Sequence, residues 1–251
     1  MLGIALLVQP VGLLAAVSIA LVRGEPFPDP GAIILAMAAG VAGATGLVNL
    51  YHGLAVGRMG VVAPVTGLLA ATLPVLAGIV LEGFPAGTVM AGIALALVAV
   101  VLVARAPGGD GSRSGLEFGL AAGVGIGVLN ILLSRLPEDA LFGSLAVVKV
   151  SSAVFIGLVV VAGRRAWRVR GNVLPIAVVV GALDMAGNAL FVLAAQAGRL
   201  DVAAVLSSLY PVTTVILAAA LLHERMSRMH LLGIGIAVIG IALIASGPAA
   251  S

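Results

Sequence analysis

Long apolar runs, separated by short gaps rich in glycine, proline and charged residues, set the hydrophobic pattern of this chain. A helix needs about 20 apolar residues to cross the hydrocarbon core of a bilayer, and it satisfies its own backbone hydrogen bonds there. The pattern therefore predicts an all-α integral membrane protein. Nine segments are long enough to be membrane-spanning helices: 1–22, 31–54, 59–81, 84–104, 116–134, 141–162, 173–196, 200–222 and 230–247.

The composition supports a membrane protein and excludes several other classes. Hydrophobic residues make up 62% of the 251 residues and charged residues only 9%, whereas a soluble domain carries about 25% charged residues. The chain has no cysteine, which excludes disulfides and cysteine metal sites, and its 4% aromatic content is too low for nucleic-acid stacking platforms. The first apolar run lacks a basic start and is too long for a signal peptide, so we expect it to be retained.

An internal repeat relates the two halves of the chain. Residues 57–104 and 198–245 have the same length, and aligning Arg58 with Arg199 gives them an offset of 141 residues. Both segments run from an arginine through a proline-interrupted helix to a closing apolar helix, and such repeats are typical of secondary transporters. The alternative is that any two apolar hairpins look alike. We favour a true repeat because the landmarks other than apolar residues recur too.

The repeat divides the chain unevenly. Four predicted spans precede residue 105 and five follow residue 115. We therefore expect an N-terminal repeat over 1–104 that lacks its first helix, a linker loop over 105–115 and a C-terminal repeat over 116–251. Together the two repeats are expected to form one inverted-repeat bundle of about nine transmembrane helices.

The closing hairpin of the chain carries a resemblance to a known family. It reads GRLDVAAVLSSLYPVTTVILAAALLHERMSRMHLLGIGIAVIGIALIA over residues 198–245, and a diverged copy lies in 57–104. Its Pro-Val-containing helix, its Glu224-Arg225 pair and its glycine-bearing last helix resemble the EamA-type transporters of the drug/metabolite transporter superfamily. The resemblance implies two inverted five-helix repeats, ten helices in all, that move small metabolites. This chain departs from it in having nine recognisable spans, and the missing one corresponds to the family's first helix.

Basic residues are distributed unequally between the two sets of alternate gaps. Nine arginines lie in one set, which includes the loop RRAWRVRG, and three lie in the other. Because cytoplasmic loops carry the excess of arginine and lysine, we expect this loop in the cytoplasm, the N-terminus inside and the C-terminus outside. In the family that the chain resembles both ends are usually cytoplasmic, so the charge count and the resemblance disagree here.

Asp184 and Asn188 are polar residues within the apolar span 173–196. A charge at that depth costs at least about 2.5–3.5 kcal/mol, so Asp184 is expected to face the interior of the bundle. Lys149, the only lysine, would lie at a similar depth in an antiparallel hairpin, and we expect it to pair with Asp184 or to share an aqueous cavity with it. The alternatives are a polar contact that only joins two helices and a lysine that snorkels to the membrane surface.

Asn49, Tyr51 and His52 form a second group of candidates for binding substrate or protons. They cluster near one end of the span 31–54, and Asn49 falls close to the repeat counterpart of Asn188. Histidine titrates near pH 6.5, which suits a proton carrier. A lone histidine in a helix is nevertheless more often part of hydrogen-bonded packing.

Ser207, Ser208 and Tyr210 form a third group, next to Pro211 in the span 200–222. A proline inside a helix removes one backbone hydrogen bond, and a freed carbonyl beside serines can bind a small polar ligand. Serines often satisfy the kinked backbone instead, and we favour that alternative for this group.

No motif in the chain predicts a metal site, a cofactor or a catalytic residue. The histidines of HERMSRMH do not have the HExxH spacing, and no GxxxxGK[ST] loop supports pumping driven by ATP. We predict a secondary transporter, not an enzyme, that carries small metabolites across the inner (plasma) membrane by alternating access, with export favoured. Its partners would be a small-molecule substrate, protons as a candidate coupling ion and the lipid bilayer, but no nucleic acid.

The rival prediction is a non-transporting integral membrane protein, such as a membrane enzyme or an assembly subunit. An enzyme would normally show a denser cluster of nucleophile, base or metal ligands within its spans. This chain has scattered single polar groups instead, which favours transport. The sequence leaves open whether the protein is a monomer or a homodimer.

Overall fold

The computed structural model describes residues 2–57, 59–104, 115–163, 173–207 and 228–245. All regular secondary structure in these ranges is α-helical, as the sequence predicts. The helices are α1 Leu2–Arg23, α2 Pro30–Val56, α3 Met59–Glu82, α4 Gly87–Ala104, α5 Leu116–Leu133, α6 Leu141–Ala162, α7 Leu174–Ala197, α8 Leu200–Ser207 and α9 Arg228–Ala245. Their bounds lie within three residues of the predicted spans, except that the rest of the span 200–222 lies outside the described residues.

Six helices in these ranges are long and apolar enough to cross a membrane. Their spanning parts are Ala5–Arg23, Pro30–Val56, Val65–Glu82, Leu116–Leu133, Leu141–Ala162 and Leu174–Ala197. The apolar parts of α4 and α9 are shorter, Gly87–Ala99 and Leu231–Ile244. The all-helical fold is thus confirmed in the described residues and is compatible with a multi-pass membrane bundle, whereas the number of nine spans and the inverted repeat stay predictions.

Local sequence signals set where the first helices begin and end. Asp29 caps α2, because its carboxylate accepts a hydrogen bond from the Ala32 backbone N–H at 2.9 Å, and Pro30 fixes the first turn. Gly24 and Gly83 follow α1 and α3 with φ angles of 65° and 82°, a backbone conformation that glycine adopts without strain. The chain can therefore turn sharply at these two helix ends.

Seven of the described helices form a closed ring of successive contacts, in the order α2, α5, α3, α8, α7, α1, α6 and back to α2. Since α1 contacts both α6 and α7, it lies between them in this ring. α4 and α9 pack against each other, and α4 also contacts α3 and α8. The larger buried apolar cluster joins α1, α2, α5, α6, α7 and α8, and a second joins α3, α4, α8 and α9.

Glycines allow several of these helices to approach closely. A Cβ atom on Gly46 of α2 would lie 2.9 Å from the Ile126 backbone nitrogen of α5. A Cβ atom on Gly92 of α4 would lie 2.7 Å from the Gly240 carbonyl oxygen of α9. Lipid offers no hydrophobic effect between helices, so close packing at small residues is a main source of their association.

Candidate functional site

An ion pair between α6 and α7 is the centre of the candidate site. Lys149 Nζ of α6 donates a hydrogen bond to Asp184 Oδ2 of α7. The Lys149 side chain is only 4% exposed, whereas the Asp184 side chain is 43% exposed. Both residues lie near the middle of helices that are long enough to span a membrane. A single charge at that depth is costly, and each of these two residues gives the other a counter-charge.

Gly12 of α1 makes room for this ion pair. A Cβ atom on Gly12 would lie 3.0 Å from Lys149 Cε and 3.2 Å from Lys149 Cδ. The aliphatic stem of Lys149 therefore crosses α1 at a glycine on its way to α7. A larger residue at this position would push the stem aside, because overpacking forces side chains away from their preferred rotamers. The ion pair thus depends on three helices, α1, α6 and α7.

Two other predicted candidates, Asn188 and Tyr51, lie on α7 and α2. Asn188 is half-buried on α7, one helical turn after Asp184 and on the same side of the helix. Tyr51 of α2 is half-buried and packs against the apolar cluster that contains Ala5 of α1 and Ile156 of α6. A binding role for either residue stays a prediction.

Asn49 and His52 take part in packing contacts on α2. Asn49 Nδ2 donates a hydrogen bond to the Thr45 carbonyl oxygen of its own helix at 2.8 Å. His52 meets Phe118 of α5 edge to face, with ring centroids 4.6 Å apart and an angle of 87° between the ring planes. His52 thus packs at the boundary between α2 and α5, whereas Asn49 bonds within its own helix. A binding role for both side chains stays a prediction.

The third group of candidates is described only in part. Ser207 Oγ, at the end of the described portion of α8, donates a hydrogen bond to the Ala204 carbonyl oxygen at 2.9 Å. Such a bond within the helix is what the structural alternative for this serine expects. Ser208 and Tyr210 lie outside the described residues.

A second charged cluster, formed by Glu82, Arg199 and Asp201 and called the end cluster below, joins helix ends. Arg199 holds Asp201 through Nε–Oδ1 and Nη2–Oδ2 contacts of 3.1 Å each, and its Nη2 donates to the Gly83 carbonyl oxygen at 2.5 Å. Glu82 accepts a hydrogen bond from the Leu200 backbone N–H at 3.2 Å and lies 3.9 Å from Arg199 Nε. The side-chain hydrogen bond to Asp201 raises the pKa of Arg199, so the guanidinium stays charged.

Glu25, in the connection between α1 and α2, joins another pair of helix ends. Its Oε2 accepts hydrogen bonds from the Phe142 and Gly143 backbone N–H groups, at 2.8 and 3.2 Å, where α6 begins. Arg23 Nε lies 3.3 Å from Glu25 Oε1, and the Arg23 guanidinium lies 5.6 Å from the centre of the Phe142 ring. A carboxylate is stabilised at the start of a helix because N–H groups there have no partner within the helix.

An apolar groove of about 610 Å³ lies between α1, α2 and α6. Its lining is almost entirely apolar and includes Leu21, Met37, Val154 and Leu158. Lys149 and Asp184 do not line it. The groove is therefore separate from the charged chemistry of the ion pair.

Reasoning from the sequence missed Gly12, Glu25 and the end cluster as functional or joining groups. Gly12 is one of 34 glycines and carries no signal of its own. Arg199 was conspicuous only as a landmark of the repeat. The positive charge of Arg199 lies at the start of one span and the negative charge of Glu82 at the end of another. These two positions were the signal from which their pairing could have been predicted.

Comparisons with known proteins identify a family model and a solved structure that match this chain. The family model described as "EamA-like transporter family" matches residues 113–246, or 134 of the 251 residues. A solved crystal structure, described only as that of a protein, matches with a TM-score of 0.80 and 19% sequence identity, covering 98% of this chain and 88% of that chain. At this identity the likeness shows the fold alone. The comparison with curated proteins gives no match.

Proposed function

Because this chain belongs to the EamA-like transporter family, and is thus a membrane transporter of the drug/metabolite type, we propose that it is a secondary transporter working by alternating access. Its substrate would be a small metabolite, and Lys149 and Asp184 would act in its transport. The observation that carries this proposal is their ion pair in the middle of membrane-spanning helices.

The ion pair favours transport over a purely structural role for an energetic reason. A buried salt bridge is often no more stabilising than apolar residues of similar size, because each charge must be stripped of water. Two apolar side chains could therefore join α6 and α7 at least as well as Lys149 and Asp184 do. Charges that contribute little to stability but can exchange partners suit a site where a substrate group or a proton replaces one member of the pair.

The pattern of helix contacts supports the two inverted repeats that alternating access requires. Contacts α1–α6, α3–α8 and α4–α9 each join helices that are five apart in the chain. The contact between α2 and α6 has its counterpart in the contact between α7 and α1, as an exchange of the two repeats demands. We assign residues 1–104 and 116–251 to the two repeats, with the linker 105–115 between them.

Equivalent glycines support the same relationship at atomic detail. A Cβ atom on Gly40 of α2 would lie 2.5 Å from the Val148 carbonyl oxygen of α6, and one on Gly181 of α7 would lie 2.9 Å from the Val8 carbonyl oxygen of α1. Gly40 and Gly181 are 141 residues apart, the offset of the sequence repeat, and the two valines are 140 apart. Corresponding residues thus make corresponding contacts, as a pseudo-twofold axis in the membrane plane would require.

The end cluster would act as one gate of the transport cycle. It links the end of α3, in the first repeat, to the turn between α7 and α8, in the second. When the repeats rock relative to each other, a contact of this kind has to break before the same end of the bundle can open. The end that the cluster closes would therefore be closed in the conformation described here.

The chemistry near the ion pair favours a zwitterionic substrate. A zwitterion can place its cationic group on Asp184 and its anionic group on Lys149, so that all four charges stay paired within the membrane. The apolar, glycine-rich helices around the pair suit a small and moderately hydrophobic molecule. We propose export across the inner (plasma) membrane as the direction of transport, with protons as the candidate coupling ion.

Flux into proteoliposomes tests this function directly. We expect uptake of labelled zwitterionic metabolites, such as amino acids, to exceed that of protein-free liposomes and to be lost in the Lys149→Met variant. Imposed pH gradients of either sign would reveal proton coupling. No flux for a broad metabolite panel, with a protein that retains its helical spectrum, would favour the non-transporting alternative.

The proposed location and orientation need a separate measurement. The excess of arginines predicts the RRAWRVRG loop in the cytoplasm and the C-terminus outside. Alkaline phosphatase fused to the C-terminus should then be active, and a cytoplasmic reporter fused there should be inactive. The opposite result would reject this orientation without affecting the proposed substrate site.

A further inference from the structure

The apolar groove between α1, α2 and α6 begins at the connection between α1 and α2, which lies at one face of the membrane. Glu25 and Phe27 of this connection line its mouth. From there the lining follows α6 from Gly143 to Leu158, a distance of about 22 Å at the helical rise of about 1.5 Å per residue. One leaflet of the hydrocarbon core is about 15 Å thick, half of the core's thickness of about 30 Å. The groove is therefore long enough for a complete acyl chain.

Exposed apolar side chains form the walls of this groove. Leu21 of α1, Met37 of α2 and Leu158 of α6 line it, and each is at least half exposed. The groove thus opens to the outside of helices that are long enough to span the membrane, where the surroundings are lipid. An acyl chain in the groove meets three helices at once, whereas one on a flat face meets a single side, so dispersion favours the groove.

Two opposite charges lie together at the mouth of the groove. The Glu25 side chain is only 5% exposed, whereas that of Arg23 is 60% exposed. Glu25 Oε2 accepts the two hydrogen bonds from the start of α6. Its Oε1 has no aligned donor in the part of the chain that the structure describes, although Arg23 Nε lies 3.3 Å from it. A buried carboxylate oxygen without a hydrogen bond is costly, so this position favours a ligand that donates one.

We propose that the apolar groove binds a phospholipid whose headgroup carries a primary ammonium, as in phosphatidylethanolamine. The acyl chain would lie along α6, the ammonium would donate to Glu25 Oε1, and the phosphate would accept from Arg23, whose exposed side chain can turn towards it. The headgroup holds its two charges side by side, as Arg23 and Glu25 do, so each charge keeps an opposite partner. The site does not depend on the proposed transport.

The free acceptor on Glu25 distinguishes between two zwitterionic headgroups. A primary ammonium has three N–H donors, whereas the nitrogen of choline carries only methyl groups and donates no hydrogen bond. The two headgroups have the same net charge and the same phosphate, so charge alone would not separate them. One additional charge-assisted hydrogen bond corresponds to about a tenfold difference in affinity.

Native mass spectrometry of the purified chain measures this preference directly. The protein in detergent receives equal amounts of phosphatidylethanolamine and phosphatidylcholine with identical acyl chains, and the lipid that stays bound is identified by its mass. We expect about tenfold more phosphatidylethanolamine to be retained. In Glu25→Gln, the amide oxygen can still accept from the start of α6, and the amide NH₂ takes the place of Oε1. Since this NH₂ donates and does not accept, the ratio should fall to about one.

Asp29→Asn is the matched control for the charge. Asp29 lies in the same connection and is exposed, but it does not line the groove, and asparagine caps a helix as well as aspartate does. This variant should keep the preference for phosphatidylethanolamine.

A second pair of variants tests the acyl-chain part of the site without changing any charge. Val154→Trp places a large ring in the groove and should reduce the retention of both lipids several-fold. Val161→Trp, on the same helix at an exposed position outside the lining, should leave retention unchanged.

Three results would overturn the proposal. The first is equal retention of the two lipids, or of neither, by the unaltered protein, and the second is a preference that survives in Glu25→Gln. The third is equal retention by Val154→Trp and Val161→Trp, which would assign the bound lipid to another surface. A lipid-free dimer that Val154→Trp converts into a monomer would also overturn it, in favour of an interface between two copies of this chain.

Discussion

The ion pair in the middle of the bundle and the end cluster are both made of opposite charges, but their surroundings differ. In the end cluster, Asp201 is completely buried, and Arg199 gives it two hydrogen bonds while also binding a backbone carbonyl. In the interior, Lys149 meets Asp184 through a single oxygen, and Asp184 stays partly exposed. Most hydrogen-bonding groups of the end cluster are therefore paired, whereas Asp184 of the interior ion pair can still accept further hydrogen bonds.

This difference separates a joining role from an exchange role. Backbone groups at helix ends have no partner within their helix, so charged side chains there can be fixed by several hydrogen bonds at once. In the middle of a helix the backbone is already paired, and a charged side chain can find a partner only in another side chain, a ligand or water. The spare capacity of Asp184 is therefore what a substrate or a proton could use.

The largest effect is expected from removing the charges of the ion pair. Lys149→Met or Asp184→Asn alone should reduce flux to the level of protein-free liposomes. Asp184→Asn should destabilise the protein by about 3–5 kcal/mol, since it leaves the buried Lys149 ammonium without its partner, and Lys149→Met should destabilise it less, since the Asp184 side chain is 43% exposed. The double variant should regain much of the thermal stability but none of the flux. Flux and unfolding temperature, measured on the same preparations, check this. A double variant that transports normally would assign the pair to structure alone.

A large effect on stability is expected at the end cluster. Arg199→Gln leaves the buried Asp201 without its cation, and we expect a loss of about 3 kcal/mol. Arg23→Gln is the control. Arg23 is 60% exposed, and the buried carboxylate of its partner Glu25 keeps two hydrogen bonds from the start of α6, so this change should cost at most about 1 kcal/mol. Denaturant unfolding of both variants measures the difference. Equal losses would remove the distinction between the end cluster and the Arg23–Glu25 pair.

A smaller effect is expected where α1 makes room for Lys149. Gly12→Ala places a methyl group against the lysine stem and should cost about 1–3 kcal/mol, together with a partial loss of flux. Gly157→Ala on α6 is the matched control, because nothing lies within 4 Å of a Cβ there, and it should be neutral or slightly stabilising. Equal stability and equal flux of the two variants would show that the close contact between Gly12 and Lys149 has no effect on either quantity.

The smallest effect is expected at Glu25. Glu25→Gln keeps an oxygen that can accept from the start of α6 but removes the negative charge, so we expect a loss of about 1 kcal/mol. Glu138→Gln, an exposed residue just before the same helix, should change stability by no more than about 0.5 kcal/mol. Thermal unfolding of the two variants provides the comparison, and an equal effect would make Glu25 an ordinary surface charge.

The helices could be predicted from the sequence because lipid imposes a length and a composition that the chain displays directly. The pairing of Lys149 with Asp184 could also be anticipated, since both lie at similar distances from the loop between their helices. The passage of the Lys149 side chain across α1 could not be predicted, because Gly12 contributes no side chain and belongs to a distant part of the chain. Long-range packing, rather than local pattern, decides where such a stem passes.

Asn49 shows a second limit of reasoning from sequence. Its amide looked available for a ligand, but it donates a hydrogen bond to the Thr45 carbonyl oxygen of its own helix. The sequence does not distinguish an asparagine that hydrogen-bonds within its own helix from one that faces a cavity. Likewise, the hydrogen bond between Arg199 and the Gly83 carbonyl oxygen joins residues 116 positions apart, and the local sequence around either residue does not predict it.

The glycine contacts between helices also have a genetic consequence. At Gly40, Gly46 and Gly92 a Cβ atom would lie within 3 Å of the backbone of a neighbouring helix, which cannot move aside as a flexible side chain could. Every change to the first or second base of a glycine codon that keeps a sense codon introduces a side chain with a Cβ atom. The codons for these three positions are therefore expected to change only at their third base.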